Sequence, residues 1–249
     1  MQPGGTASGW AGMPVPPAAP GRFARPLALA ALALSGGLAA CGPTPGRDPF
    51  SASGRLIALS GADAGPQFAC FSCHGLDGSG SAAAPRLAGL PPGYLLKQLE
   101  DYADGRRSHA PMSAIASALG PRDRREVAFY YASLPPRWRR QAAPGATAAV
   151  ERLYHRGDPR RGLAPCASCH GIRGEGIGAA NPPLAGQPAA YLEAQLQLWQ
   201  VGKRRNDPRD LMLHISRRLR PDEAAGLAAY AARLPGSTAP AARAPAPFP

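Results

Sequence analysis

Two nearly identical stretches, "CFSCHG" at residues 70–75 and "CASCHG" at residues 166–171, lie about a hundred residues apart in this chain of 249 residues. Each holds two cysteines separated by two residues, with a histidine directly after the second cysteine. This is the attachment signature of c-type haem. On a helical turn both thiols reach the vinyl groups at one edge of the porphyrin, and the imidazole lies under the iron as its proximal ligand. The two stretches therefore predict two covalently attached haem c groups, held by Cys70, Cys73, His74, Cys166, Cys169 and His170.

The cysteine count leaves two other interpretations of these motifs. The chain contains five cysteines, and an exported protein could join four of them in disulfides. A structural zinc site could also use two cysteine pairs at matching spacings. Neither a disulfide nor a four-cysteine zinc site needs a histidine directly after each pair. Haem attachment is the interpretation that accounts for every residue of the motif.

The beginning of the chain has the pattern of an export signal. Arg22 and Arg25 precede an apolar run at residues 26–38 that is too short to span a bilayer. A basic region, a short apolar region and small residues before a cleavage point are typical of a secretory signal. The small residues end in "LAAC", which resembles a bacterial lipobox; an ordinary signal with a chance cysteine is the alternative. We expect residues 1–40 to be a signal peptide and Cys41 to carry lipid, so that acyl chains tether the exported protein to a membrane.

The haem motif belongs to a longer internal repeat. "PRLAGLPPGYLLKQLEDYADGRR" at residues 85–107 matches "PPLAGQPAAYLEAQLQLWQVGKRR" at residues 182–205, and a methionine follows each segment. The tyrosine, glutamine and leucine shared by the two segments recur at helical spacing, and prolines stand at helix starts, where their missing N–H costs nothing. We therefore expect an all-α chain of two tandem domains, at residues 53–135 and 146–235. The remaining segments are predicted to be a tether at 41–52, a linker at 136–145 and a disordered Pro/Ala-rich tail at 236–249.

On these motifs each half resembles the small class I cytochrome c domain, and the pair resembles the dihaem cytochromes of the cytochrome c4 family. The resemblance implies two helical domains, each folded around a covalent haem, with the haems face to face across a pseudo-twofold interface. It also implies that the main-chain carbonyl groups of Pro85 and Pro182 orient the proximal imidazoles; a simple loop turn is the alternative role for these prolines. The chain departs from the family in its lipobox, in its tail and in three extra residues before Met212.

Two methionines are the candidate distal ligands of the irons. Met112 and Met212 are the only methionines after the signal peptide, and they occupy matching places in the two repeats. A buried methionine often only fills space in a core, whereas a thioether ligand stabilises ferrous iron and raises the reduction potential. His109 and His214 are the rival ligands, but they do not occupy equivalent repeat positions. We therefore expect both irons to have one histidine and one methionine ligand.

The chain is strongly basic, with 28 Lys and Arg against 16 Asp and Glu. Nucleic acid is the usual partner of such charge, but an exported, lipid-tethered haem protein does not meet it. Anionic lipid headgroups or acidic patches on redox proteins fit better, and a merely solvated surface is the alternative.

Two classes of function fit these features. The first is a periplasmic electron carrier whose irons are closed by His and Met, linking an upstream quinol-oxidising complex or dehydrogenase to a downstream terminal oxidase. The second is a haem enzyme with an open iron, such as a dihaem peroxidase or a thiosulfate-oxidising enzyme. A dedicated electron-transfer subunit of a dehydrogenase or oxidase is a variant of the first class. A methionine ligand in both halves favours the carrier. We therefore expect no catalytic residues, and no nucleic acid as a partner.

Overall fold

The computed structural model describes residues 53–81, 83–136 and 147–237. Within these ranges the chain forms ten α-helices, four short 3-10 turns and no β-strand, which confirms the predicted all-α class. The predicted signal peptide, Cys41 and the tether lie outside the described residues, as do nearly all of the linker and most of the tail. No helix in the described part of the chain combines the length and apolar character needed to cross a membrane.

The same succession of five helices occurs twice. The first half contains α1 (Gly54–Ser60), α2 (Cys70–His74), α3 (Pro92–Ala103), α4 (Ala110–Ala118) and α5 (Pro121–Ser133). The second half contains α6 (Ala148–Arg156), α7 (Ala167–His170), α8 (Ala189–Gln200), α9 (Leu211–Ser216) and α10 (Pro221–Arg233). The short helices α2 and α7 carry the two haem motifs.

Local sequence signals explain where these helices begin and end. The Ser53 hydroxyl accepts a hydrogen bond from the Leu56 N–H at the start of α1, and Thr147 does the same for Val150 at the start of α6. Prolines stand in the first turn of α3, α4, α5 and α10. Helix α1 is followed by Gly61, whose φ of 76° suits a residue without a side chain.

Each half has its own hydrophobic core, in which the first helix packs on the last. A glycine allows the two helices to cross closely, but it lies on the first helix in one half and on the last helix in the other. In the first half it is Gly54 of α1, where an added Cβ would lie 2.1 Å from the main-chain oxygen of Glu126. In the second half it is Gly226 of α10, where an added Cβ would lie 2.8 Å from Cγ2 of Val150 on α6. In the repeat, Gly54 corresponds to Val150 and Glu126 to Gly226.

The two halves also differ in which of these two helices carries a large buried tyrosine. Tyr131 of α5 and Ala58 of α1 are both buried in the first core. At the equivalent positions of the second core, the tyrosine is Tyr154 on α6 and the alanine is Ala231 on α10. The two cores thus carry the large residue on opposite helices.

Candidate haem sites and the interface between the halves

The two cysteines and the histidine of each motif lie on one helical turn. Cys70 is half-buried at the start of α2 and Cys73 is exposed one turn later, while Cys166 and Cys169 are both half-buried at α7. None of the four is joined in a disulfide, so each sulfur is available for a thioether bond. Before haem is attached, burial raises the pKa of the Cys70 and Cys166 thiols to about 11. Within the described ranges, no group of three or more His, Cys, Asp or Glu side chains is arranged to hold a metal ion.

The histidines are held by main-chain carbonyl groups. Nδ1 of His74 lies 2.8 Å from the carbonyl oxygen of Pro85, and Nδ1 of His170 lies 2.9 Å from that of Pro182. A carbonyl only accepts hydrogen bonds, so Nδ1 carries the proton and Nε2 keeps its lone pair for a metal. Burial lowers the pKa of both histidines, which favours the neutral form that can bind iron.

A glycine-rich loop closes each site behind the histidine. The Gly80 N–H donates to the His74 carbonyl at 2.8 Å, and the Gly176 N–H donates to the His170 carbonyl at the same distance. Gly80 has a φ of 78°, and an added Cβ would lie 2.6 Å from the Arg86 nitrogen. A side chain at this position would therefore push apart the loop that brings the Pro85 carbonyl to the histidine.

The two methionines are half-buried in first turns of helices, Met112 in α4 and Met212 in α9. Only Met212 is held by an acid: its N–H donates to one carboxylate oxygen of Asp207 at 2.7 Å, and the Trp199 indole N–H donates to the other at 2.7 Å. The extra residues before Met212 include Arg209 and Asp210, which both adopt left-handed φ values, 59° and 53°. Asp207 belongs to this longer second loop, and sequence reasoning did not single it out.

The rival histidines differ from each other in their surroundings. His109 and His214 are both exposed. His109 lies near enough to His74 to contribute to the lowering of its pKa, after burial, whereas His214 has no such effect on His170.

Two buried arginines and two glutamines form a ring across the interface of the two halves. The Gln98 amide oxygen accepts from Arg107 at 2.8 Å and from Arg204 at 3.3 Å. The Gln195 amide oxygen accepts from the same two guanidinium groups, at 2.8 and 2.6 Å. We call Gln98, Arg107, Gln195 and Arg204 the arginine–glutamine ring. The four residues occupy equivalent positions in the two repeats, so the ring has pseudo-twofold symmetry.

The arginine–glutamine ring concentrates positive charge away from water. Arg107 and Arg204 are 6% and 4% exposed, and in the described structure both guanidinium groups donate only to neutral oxygens. Burial alone would raise the pKa of Tyr191, but the two arginines lower it overall. Buried cations favour an anion nearby. The carboxylates of haem propionates are anions that would suit such a site, so the buried guanidinium groups are compatible with a haem bound nearby.

A buried carboxylate breaks the symmetry of the interface. Asp101 is 1% exposed and accepts from Asn206 Nδ2 at 2.7 Å, from Arg106 Nε at 2.8 Å and from Lys97. Burial alone would raise its pKa, but these hydrogen bonds lower it overall. The equivalent residue of the second half is Leu198. Nothing in the repeat pattern distinguishes Asp101 from the exposed acids around it, so sequence reasoning missed it.

Comparisons with known proteins agree with this geometry. The cytochrome c family model matches residues 61–135 and 163–234. A thiosulfate dehydrogenase electron acceptor from Stutzerimonas stutzeri is 44% identical over 191 residues, which is 74% of this chain and 87% of that protein. Among solved structures, thiosulfate dehydrogenase from Marichromatium purpuratum matches with a TM-score of 0.68 and 45% identity, over 73% of this chain and 40% of that one. Cytochrome c4 from Pseudomonas stutzeri matches with a TM-score of 0.65 and 29% identity, over 73% of this chain and 96% of that one.

These matches confirm the predicted tandem fold and the predicted cofactor, two covalently bound haem c groups. They also confirm the coarser functional prediction, a dihaem electron-transfer cytochrome with redox proteins as partners. The chain belongs to the cytochrome c family, as a dihaem class I cytochrome of the cytochrome c4 type.

Proposed function

We propose that this protein is a membrane-tethered periplasmic carrier that accepts single electrons from a thiosulfate-oxidising dehydrogenase. The observation that carries the proposal is the 44% identity to a thiosulfate dehydrogenase electron acceptor over 191 residues, a length that exceeds either half. The related segment of the Marichromatium purpuratum chain supports it, because that segment is part of a longer protein that is itself a thiosulfate dehydrogenase. A quinol-oxidising complex is the alternative donor, and a terminal oxidase fits as the acceptor.

In this proposal each haem is attached through two thioethers and ligated by one histidine and one methionine. Cys70 and Cys73 would hold the first haem, and His74 and Met112 would ligate its iron. In the second half the corresponding residues are Cys166, Cys169, His170 and Met212. When bound, haem c supplies a reversible one-electron couple between ferrous and ferric iron. Burial keeps the imidazoles neutral, and the carbonyl groups of Pro85 and Pro182 orient them.

The proposed segments follow from the same assignment. Residues 53–135 and 146–235 are the two haem domains, joined by a linker at 136–145 and followed by a tail at 236–249. Residues 1–40 are the export signal, and lipid on Cys41 holds the mature chain at a membrane through the tether at 41–52. More than one acyl chain is needed for a stable anchor. Replacing Cys41 by Ser is expected to block lipid attachment and to leave an uncleaved or mis-cleaved precursor, which mass determination of the purified protein detects. A wild type that needs no detergent would contradict the anchor.

The electron count of the proposed reaction suits a dihaem acceptor. Two thiosulfate ions that join through a new sulfur–sulfur bond release two electrons and no protons. A chain with two one-electron groups has the capacity to take both. The dehydrogenase forms the bond, and this protein only carries the electrons away.

The test separates the carrier from an enzyme. Oxidised holoprotein is mixed with thiosulfate alone, and then with thiosulfate and a catalytic amount of a thiosulfate dehydrogenase that lacks its own acceptor domain, while haem absorbance is recorded. We expect no reduction with thiosulfate alone and reduction of two haems per chain once the dehydrogenase is present. Reduction by thiosulfate alone would identify the chain as an enzyme, and no reduction in either mixture would refute the proposed donor.

A further inference from the structure

One peptide group links the proximal histidine of the first half to the second half. The peptide between Pro85 and Arg86 has its carbonyl oxygen 2.8 Å from Nδ1 of His74. The N–H of the same peptide donates to the side-chain oxygen of Gln187, at 3.0 Å. Gln187 lies 101 residues further along the chain, in the loop before α8. The hydrogen bonds thus run from the Gln187 side chain, through one amide, to the imidazole of His74.

The link is buried and held from both sides. Arg86 is 0% exposed and Gln187 is 4% exposed. The Gln187 amide also donates to the Arg86 carbonyl oxygen at 2.9 Å. One side chain thus forms hydrogen bonds with both the N–H and the carbonyl group of Arg86. The Arg86 guanidinium group donates to the main-chain oxygens of Ala88 and Ala185, one from each half. Water therefore does not compete for these hydrogen bonds, and their geometry is fixed.

The second half cannot form the equivalent link. The residue after Pro182 is Pro183, which has no N–H to donate. The residue that corresponds to Gln187 in the first half is Leu90, whose side chain has no oxygen to accept. Both the donor and the acceptor are thus missing around His170. The two halves share the carbonyl–histidine contact, but only the first half connects it to its neighbour.

We propose that Gln187 is a positioning residue that tunes the proximal histidine of the other half through the Pro85–Arg86 peptide, and thereby makes the two haems inequivalent. An amide whose N–H donates has a more negative carbonyl oxygen, because successive hydrogen bonds polarise each other. That oxygen draws the Nδ1 proton of His74 more strongly, so the imidazole becomes a better electron donor to iron. Greater donation stabilises ferric iron and lowers the potential of the first haem. This inference rests on the proposed ligation of iron by His74.

The variant that tests the link is Gln187→Leu, which gives the second half the residue that the first half has at this position. The measurements are the potentials of the two haems, followed separately, and the Nδ1–H resonance of each proximal histidine in ferrous holoprotein. We expect the equilibrium constant for reduction of the first haem to rise roughly twofold to tenfold. The His74 Nδ1–H resonance should move upfield as its hydrogen bond weakens. The second haem and His170 serve as the internal control and should not change.

Two further variants distinguish tuning from a loosened interface. Gln195→Leu makes the same substitution in the arginine–glutamine ring, away from the Pro85–Arg86 peptide, and should leave the His74 Nδ1–H resonance in place. Gln187→Asn keeps the amide but shortens its reach by one methylene, so it should shift the first potential and the His74 Nδ1–H resonance in the same direction as Gln187→Leu. It provides the test if the leucine variant does not fold. An unchanged His74 resonance in the Gln187 variants, or an equal shift of both potentials, would overturn the inference.

The proposed ligation is tested independently in the wild type. The ring protons of a histidine bound to haem iron are displaced strongly upfield by the porphyrin ring current. If the His74 ring protons are not displaced, the ligation itself is wrong, whatever the Gln187 variants show.

Discussion

The candidate iron ligands are held differently in the two halves, although their side chains are the same. Met212 is fixed through its main-chain N–H by Asp207, which is itself fixed by Trp199. Met112 follows His109, whose N–H contacts the Ser113 hydroxyl at 3.4 Å. The second distal loop is thus anchored by a charged side chain, whereas the stronger contact in the first loop is a main-chain one, from the Ser113 N–H to the His109 carbonyl at 2.8 Å.

Replacing either methionine by alanine is expected to lower the potential of one haem and to open that iron to carbon monoxide. A thioether favours ferrous iron, and alanine leaves the distal position vacant or filled by water. Carbon monoxide binding to reduced protein and potentiometric titration measure both effects. The matched variants His109→Ala and His214→Ala should change neither. If His109→Ala opens the first iron and Met112→Ala does not, His109 is the distal ligand of that half.

Glu223 makes the stability of the second half depend on pH. Its carboxylate is 8% exposed and accepts two hydrogen bonds from Arg161, at 2.8 and 2.9 Å. These bonds lower its pKa, against the opposing effect of burial. A carboxyl group with a lowered pKa in the folded state stabilises the fold above its unfolded pKa, and this contribution is lost as pH falls through the folded value. Glu223→Gln should therefore cost about 1–3 kcal/mol at neutral pH and flatten the loss of stability in acid. Denaturant unfolding of holoprotein at several pH values measures this, and an equal acid slope in the variant would contradict it.

At the scale of helices, the crossing of the first and last helix in each half depends on one glycine. At Gly54 an added side chain meets main-chain atoms of α5, which cannot move without breaking the helix. At Gly226 an added side chain meets only the end of the Val150 side chain. The same architecture is therefore tolerant to substitution at one site and intolerant at the other.

Gly54→Ala is expected to destabilise the protein by about 3 kcal/mol or more, and Gly226→Ala by about 1 kcal/mol, because overpacking costs more where nothing can give way. Val150→Ala should rescue Gly226→Ala, since it removes the methyl group that the new Cβ meets. Chemical denaturation of the holoprotein measures each loss. Equal losses at the two glycines, or no rescue by Val150→Ala, would contradict this account of the crossings.

The parts of the fold and of the sites that are local in the sequence could be predicted from it. The motif spacing indicated helical turns at α2 and α7, and the prolines indicated the helix starts at α5 and α10. The contacts between the halves could not be predicted, because they join residues about a hundred positions apart and the sequence does not show which side chains face the other half. From the sequence, Gln187 is predicted only to lie in a loop, and its contact with Arg86 is known only from the structure. From the sequence, Arg107 and Arg204 are predicted to be exposed charges, because the burial of an arginine depends on what packs over it.

At the scale of the whole molecule, the positive charge is unevenly divided. Residues 53–135 contain eight Lys and Arg and seven Asp and Glu, whereas residues 146–235 contain thirteen and eight. Arg217 and Arg218 are exposed beside the second distal loop, and their guanidinium groups donate to main-chain oxygens rather than to acids. An acidic partner would therefore meet the second half first.

The rate of electron exchange with an acidic redox partner is expected to fall as ionic strength rises, because salt screens attraction beyond roughly 10 Å at about 0.1 M. The double variant Arg217→Glu/Arg218→Glu should react more slowly at low salt and show a flatter dependence on salt. Arg122→Glu/Arg125→Glu on α5 is the matched control in the first half, and should retain most of the dependence. Stopped-flow mixing at several salt concentrations provides the measurement. A rate that ignores salt in the unaltered protein would mean that the charge plays no part in docking.

The placement of Gly54 on the first helix of one half and of Gly226 on the last helix of the other affects how the chain folds. A chain with two copies of one helical domain risks pairing the first helix of one copy with the last helix of the other during synthesis. Here, α1 on α10 would bring Gly54 and Gly226 together and leave a void, while α6 on α5 would drive Val150 into the Glu126 main chain. Each first helix therefore fits only the last helix of its own half. The packing inside the two cores therefore disfavours misfolded forms of this duplicated cytochrome in which a helix of one half replaces its counterpart in the other half.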